Sequence, residues 1–462
     1  MKPPFDISGD LDTPVSAFMK LAAFEPRFLL ESVEGGERLA RYSFIGFGKA
    51  LEVRLDRDGL AIGSDRWPVP ATSAELLAGL REGLRRAPQP TPQIAGVPLA
   101  GGLVGYSSYD MVRFFERLPA PTSSGVPALH YVAPRSLLVF DHLTRGIALV
   151  HAGSDAERHS LRRELIRALR GGLPNGLRRG RYSQPVPAFS REDFLGGVQR
   201  TQEYISAGDV YQLVLSMRFS GRHELDPFQA YRALRLINPS PYMYYCALGD
   251  VTVVGSSPEA LVKLKGGRAQ LRPIAGTRPR SDDVMIDRAR EIELLADPKE
   301  SAEHVMLVDL ARNDLGRVAR AGSVNVDPYR AIERYSHVMH IVSGVNAELA
   351  PGRDAFDLFA AAFPAGTLVG APKVRAMQII DELEPVNRGL YGGTVGYFGA
   401  RGDMDQAITI RTLVFHGDEY SYQAGAGIVA DSVPQTEHEE VLAKSGAMVR
   451  ALQMAEGQEE GL

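Results

Sequence analysis

Residues 363–385, FPAGTLVGAPKVRAMQIIDELEP, constrain the fold more tightly than any other stretch of this sequence. The small residues and prolines before Lys373 favour two turns, and Pro385 ends any helix that follows. Between them, apolar side chains recur at the spacing of a helix with one buried face: Met377, Ile379, Ile380 and Leu383. The pattern predicts a loop leading into a helix N-terminus, a place that favours a carboxylate or phosphate. An ordinary turn before a core helix would have the same spacing, and the proline before the lysine excludes a nucleotide P-loop.

The composition is that of a large globular protein. A chain of 462 residues with 44% apolar residues can bury a large core, and a net charge of −4 argues against a nucleic-acid partner. No apolar run is long enough to span a membrane, and the first ten residues lack the features of a signal peptide. The single cysteine, Cys246, excludes an internal disulfide and lies in an apolar run typical of a buried thiol. We therefore expect a cytoplasmic protein.

Strand, helix and turn signals divide the chain into two parts. Up to about residue 170, apolar runs alternate with turns, which predicts short strands and hairpins followed by one charged helix. Residues 171–189 are rich in glycine, proline and arginine and are typical of a linker with solvated arginines. From residue 190 onward, strands alternate with amphipathic helices. We therefore expect an N-terminal part over residues 1–170, a linker over 171–189 and a second part over 190–462.

Two pairs of glutamates each have helical spacing. Glu300 and Glu303 precede the apolar run of one helix, and Glu437 and Glu440 lie in another, four residues before Lys444. If these helices face each other, four carboxylates converge, and such an all-oxygen set suits Mg²⁺. Two solvated helix faces would show the same spacing. A di-iron site is disfavoured because neither pair supplies the Glu-x-x-His arrangement.

Three further polar features stand among small or apolar neighbours. His340 lies within an apolar run, where a histidine is most often hydrogen-bonded core. Arg411 ends another apolar run and suits a carboxylate bound through two parallel hydrogen bonds. Residues 425–427, Gly-Ala-Gly, form a turn whose N–H groups can bind an anion.

Taken together, these stretches resemble the chorismate-utilising enzymes, and within that family the component I chains of anthranilate synthases. The resemblance is dense from Arg191 to Gln453 and sparser in the N-terminal part, at residues 29–32 and 101–109. It implies an α+β fold, a large mixed α/β architecture in which two antiparallel sheets pack as a sandwich with helices outside. It also implies that residues 190–462 bind chorismate and catalyse, whereas residues 1–170 regulate.

The resemblance assigns metal and proton-transfer roles to single residues. It implies that Mg²⁺ holds the ring carboxylate of chorismate and is bound by Glu303 and Glu440, with Glu300 and Glu437 acting through waters. Glu259 corresponds to the general acid that protonates the departing C4 hydroxyl, and its apolar surroundings could keep it protonated. His340 and Thr367 correspond to residues of the second step, in which pyruvate leaves and the ring becomes aromatic. Lys444 is expected to neutralise carboxylates.

The resemblance also implies which residues bind the enolpyruvyl carboxylate of the substrate. They are Tyr391, Arg411, Gly276, Thr277 and the turn Gly425, Ala426 and Gly427.

Two positions distinguish the reactions within the family. Isochorismate and salicylate synthases carry a lysine base where this sequence has Gln212, a substrate-site residue, so water addition is disfavoured. Aminodeoxychorismate synthases carry an attacking lysine where this sequence has Ala275, which leaves room for ammonia to attack C2. The resemblance therefore implies formation of anthranilate, the first committed step of tryptophan biosynthesis. Aminodeoxychorismate synthase component I, of the folate pathway, is the alternative; a non-catalytic tryptophan sensor is disfavoured because the carboxylates are intact.

The ammonia source and the regulation follow from the same resemblance. A glutamine amidotransferase needs a nucleophilic cysteine on a glycine-flanked turn, which Cys246 does not provide. We expect a separate glutaminase subunit and hence a hetero-oligomer.

Two stretches match the family's feedback pocket for L-tryptophan, which implies the binding residues Glu31, Ser32, Pro241, Tyr242 and Met243. Such a pocket would join both parts of the chain, so its ligand could bias how they close; a strand and turn that merely pack are the alternative.

Overall fold

The computed structural model describes residues 4–32, 41–119, 125–174, 180–335 and 338–457. Its helices are α1 Pro14–Lys20, α2 Ser73–Arg86, α3 Asp155–Leu169, α4 Arg191–Ser206, α5 Pro227–Ile237, α6 Val284–Ala296, α7 Pro298–Gly316, α8 Ala355–Ala362, α9 Lys373–Leu383 and α10 Pro434–Glu456. Short 3₁₀ turns cover Ala22–Phe24, Tyr109–Phe114 and Gly366–Leu368.

The strands of the first part and of the linker are β1 Ile7–Ser8, β2 Pro26–Glu31, β3 Tyr42–Asp56, β4 Gly59–Ile62, β5 Asp65–Trp67, β6 Gly102–Ser107, β7 Leu129–Asp141, β8 Gly146–His151 and β9 Val186–Pro187. Those of the second part are β10 Gln212–Arg222, β11 Tyr242–Leu248, β12 Val251–Ser257, β13 Ala260–Lys265, β14 Arg268–Leu271, β15 Ile274–Pro279, β16 Asn325–Val326, β17 Ala331–Arg334, β18 Val338–Val342, β19 Val345–Glu348, β20 Gly370–Ala371, β21 Thr394–Gly399, β22 Met404–Ile408, β23 Thr412–His416 and β24 Glu419–Ile428.

Local signals start and stop the helices where the sequence predicts. Ser190 caps α4 and exchanges hydrogen bonds with Asp193, a capping box that satisfies two free N–H groups. The loop-to-helix pattern of residues 363–385 is confirmed, because α9 begins directly after Pro372 and ends before Pro385. Lys373 at its start binds Asp314 of α7 at 2.8 Å, so a carboxylate of the chain itself lies at this helix N-terminus.

The strand pairs are antiparallel, and pairing links 21 of the described strands into one sheet. The two parts of the chain contribute to it together: β2 pairs with β11, with Glu31 opposite Met243, and β6 pairs with β21. The division into a regulatory and a catalytic part, with a linker between them, stays a prediction. Residues 175–179, which include two of the linker arginines, lie outside the described parts of the chain.

Two apolar cores give this sheet its layers. Successive side chains of β11 alternate between them: Tyr244 and Cys246 face a core built mainly from strand residues, whereas Met243 and Tyr245 face one that includes Phe228 of α5. A core between strands and a second core under helices are what a sandwich with helices outside requires. The predicted α+β fold of antiparallel sheets with helices outside is therefore confirmed.

Cys246 is completely buried in the core between the strands, as expected of a structural thiol. Burial raises the pKa of its thiol to about 12, so the reactive thiolate is disfavoured. None of the helices in the described ranges is long and apolar enough to cross a membrane.

A separate three-stranded sheet stands beside the large one. β18 lies in its centre, between β15 and β17, and α6 and α7 pack against β15. A bulge in β15 falls between Ala275 and Thr277, where Gly276 has a φ of 67° that disfavours other residues. The bulge places Thr277 opposite His340 of β18, so this small sheet brings together three predicted site residues.

Candidate active site

A cavity of about 410 Å³, hereafter the catalytic cavity, lies between β10, β24, α7, α10 and the loop before α9. Most of the predicted site residues line it, from distant parts of the sequence: Gln212, Glu259, Glu303, Thr367, Tyr391, Arg411, Gly425, Gly427, Glu437, Glu440 and Lys444. The fold therefore brings together residues that the sequence places more than 200 positions apart.

Three of the four paired glutamates face this cavity. Burial raises the pKa of Glu303, and the charges of Glu300 and Glu440 add to the shift. Burial likewise raises the pKa of Glu437, with a further contribution from Glu440. These shifts mean that negative charge is concentrated here without full compensation. Of the four glutamates expected to converge if α7 and α10 face each other, the structure brings three to the catalytic cavity, and Glu300 is not part of its lining.

Glu300, the fourth glutamate, contacts an arginine instead of the catalytic cavity. Its carboxylate accepts a hydrogen bond from Arg278 at 3.2 Å, and Arg278 also binds Glu293 and Asp297 at 3.0 Å each. A side chain on Gly276 would come within 3.1 Å of the Glu300 carboxylate, so the carboxylate lies directly beside the bulge of the small sheet. Glu300 is not part of the lining of the catalytic cavity. It lies between the glutamates of that cavity and the predicted site residues of the small sheet.

The chemistry of the donor set fits a hard divalent cation. Among the described residues, no three His, Cys, Asp or Glu side chains are gathered closely enough to hold a metal ion by themselves. Mg²⁺ does not need such a cage, because it binds through one or two carboxylates and completes its octahedron with waters and substrate oxygens. Glu303 and Glu440 could supply two such carboxylates, and a cation would reduce the repulsion from Glu300 and Glu440 that adds to the effect of burial on the pKa of Glu303.

Glu259 sits at the corner between β12 and β13, directly after Pro258. Its backbone carbonyl accepts a hydrogen bond from the N–H of Ile408 at 3.0 Å, and its side-chain carboxyl accepts one from the Thr367 hydroxyl at 3.2 Å. Burial raises the pKa of this carboxyl to about 7, so a large fraction is protonated at neutral pH. A carboxyl with such a pKa can donate a proton to a leaving group.

The turn predicted at residues 425–427 is wrong, because these residues lie within strand β24 and pair with β10. Close contacts shape the wall of the cavity around this glycine segment of β24. A Cβ on Gly425 would lie 2.8 Å from the Tyr391 hydroxyl, and one on Gly427 would lie 2.7 Å from the Gln212 side chain. Glycine is therefore required at Gly425, where the backbone carbonyl of Leu215 would also be within 2.9 Å, whereas at Gly427 the flexible side chain of Gln212 could move aside. Lys444 binds the carbonyl of Gly425 at 3.0 Å and Glu440 at 2.6 Å, so it ties β24 to α10.

Arg411 has a positive φ of 49°, which is uncommon for a residue with a side chain. Its carbonyl accepts a hydrogen bond from Ser256 at 3.1 Å. Such strain costs about 1–3 kcal/mol and clusters at functional sites, where the surrounding structure holds a side chain in a required direction.

His340 lies outside the lining of the cavity but within electrostatic reach of it. Burial lowers its pKa, and the positive charge of Arg411 lowers it further, so the imidazole is neutral at pH 7. Its Nδ1 lies 2.9 Å from the carbonyl of Gly276 and 3.1 Å from the Thr277 hydroxyl. Because a carbonyl only accepts, Nδ1 carries the proton and Nε2 is left to act as a base. Ala426, in contrast, is fully buried and does not line the catalytic cavity.

A second large cavity, of about 470 Å³, lies where the two parts of the chain meet along β2 and β11; we call it the seam cavity. It is lined by all the predicted tryptophan-binding residues: Glu31, Ser32, Pro241, Tyr242 and Met243. The Glu31 carboxylate is buried and accepts hydrogen bonds from Arg235, at 3.0 and 3.3 Å, and from the Tyr231 hydroxyl.

Sequence reasoning missed several residues around the catalytic cavity. Lys299 and Gln423 line it, and a buried ion pair of Arg388 with Glu384 lies behind it. Gln423 carried a weak signal, since a glutamine directly before Ala-Gly-Ala-Gly is unusual in a strand of small residues. The spacing of Glu384 and Arg388 is that of a helical pair, but Pro385 between them excludes the helix on which that argument depends.

Comparison with known proteins agrees with this geometry. A family model described as chorismate binding enzyme matches residues 25–450. The chain belongs to this family of chorismate-binding enzymes.

Relatives within the family make the comparison more specific. Anthranilate synthase component 1 of Thermus thermophilus is 47% identical over 454 residues, which cover 97% of each chain. The protein of the same description from Pseudomonas aeruginosa is 45% identical, over 98% of this chain and 95% of its own. The resemblance to the component I chains of anthranilate synthases is therefore confirmed.

Solved structures extend the comparison to the fold. Anthranilate synthase component I from Streptococcus pneumoniae is 34% identical and superposes with a TM-score of 0.79, covering 97% of this chain and 100% of its own. The menaquinone-specific isochorismate synthase from Escherichia coli is 18% identical with a TM-score of 0.70, covering 96% of this chain and 91% of its own. The second similarity shows a shared fold alone.

Proposed function

We propose that this chain is the ammonia-using subunit of an anthranilate synthase, which converts chorismate and ammonia to anthranilate, pyruvate and water. The observation that carries the proposal is the catalytic cavity, in which a carboxyl group with a pKa of about 7 lies among groups suited to bind a dicarboxylate. The names of relatives that are 47% and 45% identical over nearly the whole chain support the same reaction.

Both carboxylates of chorismate have partners in this proposal. Arg411, Tyr391 and the β24 residues Gly425, Ala426 and Gly427 bind the enolpyruvyl carboxylate, and Gly276 and Thr277 assist from the small sheet. Glu303 and Glu440 hold Mg²⁺, with Glu437 and Glu300 acting through waters. When bound, Mg²⁺ supplies positive charge that neutralises the ring carboxylate and orients the ring. Lys444 balances the remaining negative charge. Its contact with Glu440 at 2.6 Å supports this role.

Amination is the first step. The nitrogen of ammonia forms a bond to C2, the two ring double bonds shift, and the C4–O bond breaks. Glu259 donates its proton to the departing oxygen, so that water leaves. The hydrogen bond from Thr367 orients the carboxyl of Glu259 for this transfer.

Elimination is the second step. Nε2 of neutral His340 takes the proton from C2, and the C3–O bond to the enolpyruvyl group breaks. The ring becomes aromatic, and the leaving group departs as the enolate of pyruvate, which takes up one proton, equal to the one held by the His340 imidazolium, to become pyruvate. The hydrogen bond from Nδ1 to the Gly276 carbonyl supports this role, because it fixes the tautomer that leaves Nε2 free of a proton.

Identification of the product tests the proposal. Purified chain is incubated with chorismate, ammonium and Mg²⁺, and anthranilate is measured by its fluorescence together with pyruvate. We expect the two products in equal amounts. 4-Amino-4-deoxychorismate as the main product would instead support an aminodeoxychorismate synthase, and isochorismate or salicylate would contradict amination altogether.

We further propose that a separate glutaminase subunit supplies the ammonia, so that the working enzyme is a hetero-oligomer. Cys246, the one cysteine of the sequence, is fully buried with a thiol pKa raised to about 12, which is unsuited to glutamine hydrolysis. The isolated chain is expected to use ammonium but not glutamine. Equal rates with glutamine and ammonium would contradict the proposal.

We also propose that L-tryptophan binds the seam cavity and inhibits the enzyme. The cavity volume of about 470 Å³ is within the range of small-molecule sites. A Ser32→Phe substitution would fill part of the cavity and is expected to abolish inhibition by tryptophan. Full sensitivity in this variant would contradict the proposed site. The cytoplasmic location expected from the sequence stays a prediction.

A further inference from the structure

A small cavity of about 30 Å³ adjoins the catalytic cavity; we call it the niche. The two cavities share part of their lining, namely Tyr391, Ile410 and Gln423. A single water-sized molecule needs about 10–15 Å³ of such space. The niche therefore has room for one or two molecules of the size of water or ammonia, next to the place where chorismate is proposed to bind.

Two buried polar atoms of the niche lack a hydrogen-bond partner among the described residues. They are Oε1 of Gln423 and Oγ1 of Thr409, and these residues are only 5% and 1% exposed. A buried polar atom without a partner is costly, and most such atoms in proteins are satisfied by a ligand or an ordered water. A small molecule with two or more N–H or O–H donors would satisfy both.

A network of hydrogen bonds determines which end of the Gln423 amide faces the niche. Glu384 is an acceptor, since its carboxylate binds Arg388 at 2.7 and 2.9 Å in a pair that is almost completely buried. The Ser216 hydroxyl donates to Glu384 at 2.7 Å and can then only accept from Gln423, at 2.8 Å. The NH₂ group of Gln423 must therefore face Ser216, which leaves Oε1 facing away from it as an unused acceptor.

We propose that the niche binds the ammonia that attacks the ring, with its N–H groups donated to Oε1 of Gln423 and Oγ1 of Thr409. The proposal rests on the proposed amination reaction. The lone pair of ammonia lies opposite its N–H groups and stays free when both contacts are made, and Gln423 lines the catalytic cavity as well as the niche. Arg218 also lines the niche, and its positive charge disfavours ammonium relative to neutral ammonia, the form that carries the lone pair.

Steady-state kinetics with ammonium as the nitrogen source test the proposal. The variants are Thr409→Val and Gln423→Met, which keep the approximate shape of each side chain. The first removes the Thr409 hydroxyl, and the second removes Oε1 of Gln423 together with the NH₂ group that donates to Ser216. Because one hydrogen bond contributes about 0.5–1.5 kcal/mol, we expect each to raise the KM for ammonia about 2- to 13-fold. The KM for chorismate should change less than twofold. Thr409→Ser keeps the hydroxyl and is expected to restore the wild-type KM for ammonia.

Thr201→Val is the matched control, because Thr201 is equally buried but its hydroxyl already donates to Gly197 within α4. It should leave both KM values unchanged, and thermal unfolding of every variant shows whether the fold is intact. Unchanged KM for ammonia in both niche variants would mean that the niche holds water only, and a change confined to the KM for chorismate would mean that these groups bind the substrate. Either result overturns the inference. A wild-type chain that makes no anthranilate would instead contradict the proposed function itself.

Discussion

The catalytic cavity and the seam cavity have similar volumes, about 410 and 470 Å³, but they treat charge in opposite ways. In the catalytic cavity, burial and neighbouring negative charge raise the pKa of Glu303 and Glu437, which means that their negative charges are not fully balanced by nearby positive groups. In the seam cavity, Glu31 is already bound by Arg235 and Tyr231. Uncompensated negative charge would repel a dicarboxylate, so the catalytic cavity suits such a ligand only together with a cation, whereas in the seam cavity the charge of Glu31 is already balanced by Arg235.

The largest effect is expected from a substitution that should affect catalysis and leave tryptophan binding unchanged. Glu259→Gln keeps the size of the side chain and removes the proton that leaves with the C4 hydroxyl. We expect kcat to fall about 10²- to 10⁴-fold, the usual contribution of a general acid. Tryptophan binding, measured by calorimetry, should be unchanged because the seam cavity is formed by other residues.

The pH dependence of the wild-type enzyme provides the control for this substitution. Glu259 must be protonated to act, and its pKa is about 7, so kcat should fall as the pH rises through about 7. The fall should approach tenfold per pH unit and be absent from the residual activity of Glu259→Gln. A variant with the same pH limb as the wild type would show that another group is the acid.

A smaller effect is expected from the carboxylates of the catalytic cavity. Glu440→Gln removes one proposed Mg²⁺ ligand, and we expect the Mg²⁺ concentration for half-maximal activity to rise at least about 10- to 100-fold. Glu439→Gln is the matched control, because Glu439 is an exposed neighbour on α10 that lies outside the catalytic cavity. Equal Mg²⁺ dependence of the two variants would contradict the assignment. Removal of Mg²⁺ with a chelator should abolish activity while tryptophan binding persists.

A substitution in the seam cavity should change inhibition by tryptophan and leave catalysis nearly unchanged. Glu31→Gln weakens the contacts to Arg235 and removes a negative charge suited to the amino group of tryptophan. We expect the inhibition constant for tryptophan to rise about tenfold, the effect of about 1.4 kcal/mol, with uninhibited kcat within threefold of wild type. A large loss of kcat with unchanged inhibition would show that Glu31 serves the catalytic cavity instead.

The smallest effect on function is expected from a substitution in the core that both parts of the chain share. Cys246→Ser places a hydroxyl in the apolar core between the strands, and an unsatisfied buried hydroxyl costs about 1–3 kcal/mol of unfolding free energy. Urea denaturation measures the change. Catalysis and tryptophan inhibition should both survive, since Cys246 lines neither cavity. A selective loss of one of them would show that this core couples to that cavity alone.

Much of the architecture could be predicted because its signals are local. The capping box of Ser190 and Asp193 and the two prolines around α9 act over a few residues and fix the helix ends. The family resemblance then indicated which residues would meet, and the structure brings most of them to one cavity. The contact of Glu300 with Arg278 could not be predicted in the same way, because it depends on how α7 packs on the small sheet.

The niche marks the limit of sequence reasoning. Neither Thr409 nor Gln423 differs in sequence from a polar residue that simply completes a strand, and only the structure shows that one atom of each has no hydrogen-bond partner within the described part of the chain. The orientation of the Gln423 amide follows from a chain of hydrogen bonds that begins at Arg388, with partners 168 and 207 positions apart in sequence.

The sequence by itself determined the helix ends, the buried cysteine, the family and the identity of the residues that can carry the chemistry. Periodicity, capping and turn preferences act between near neighbours, so they can be read along the chain. The tertiary structure decided which carboxylates repel each other, which one is bound by an arginine, and which polar atoms stay unpaired. Those properties arise from distance and burial between remote segments, and for this reason the raised pKa of Glu259 and the niche beside the catalytic cavity became visible only in the folded protein.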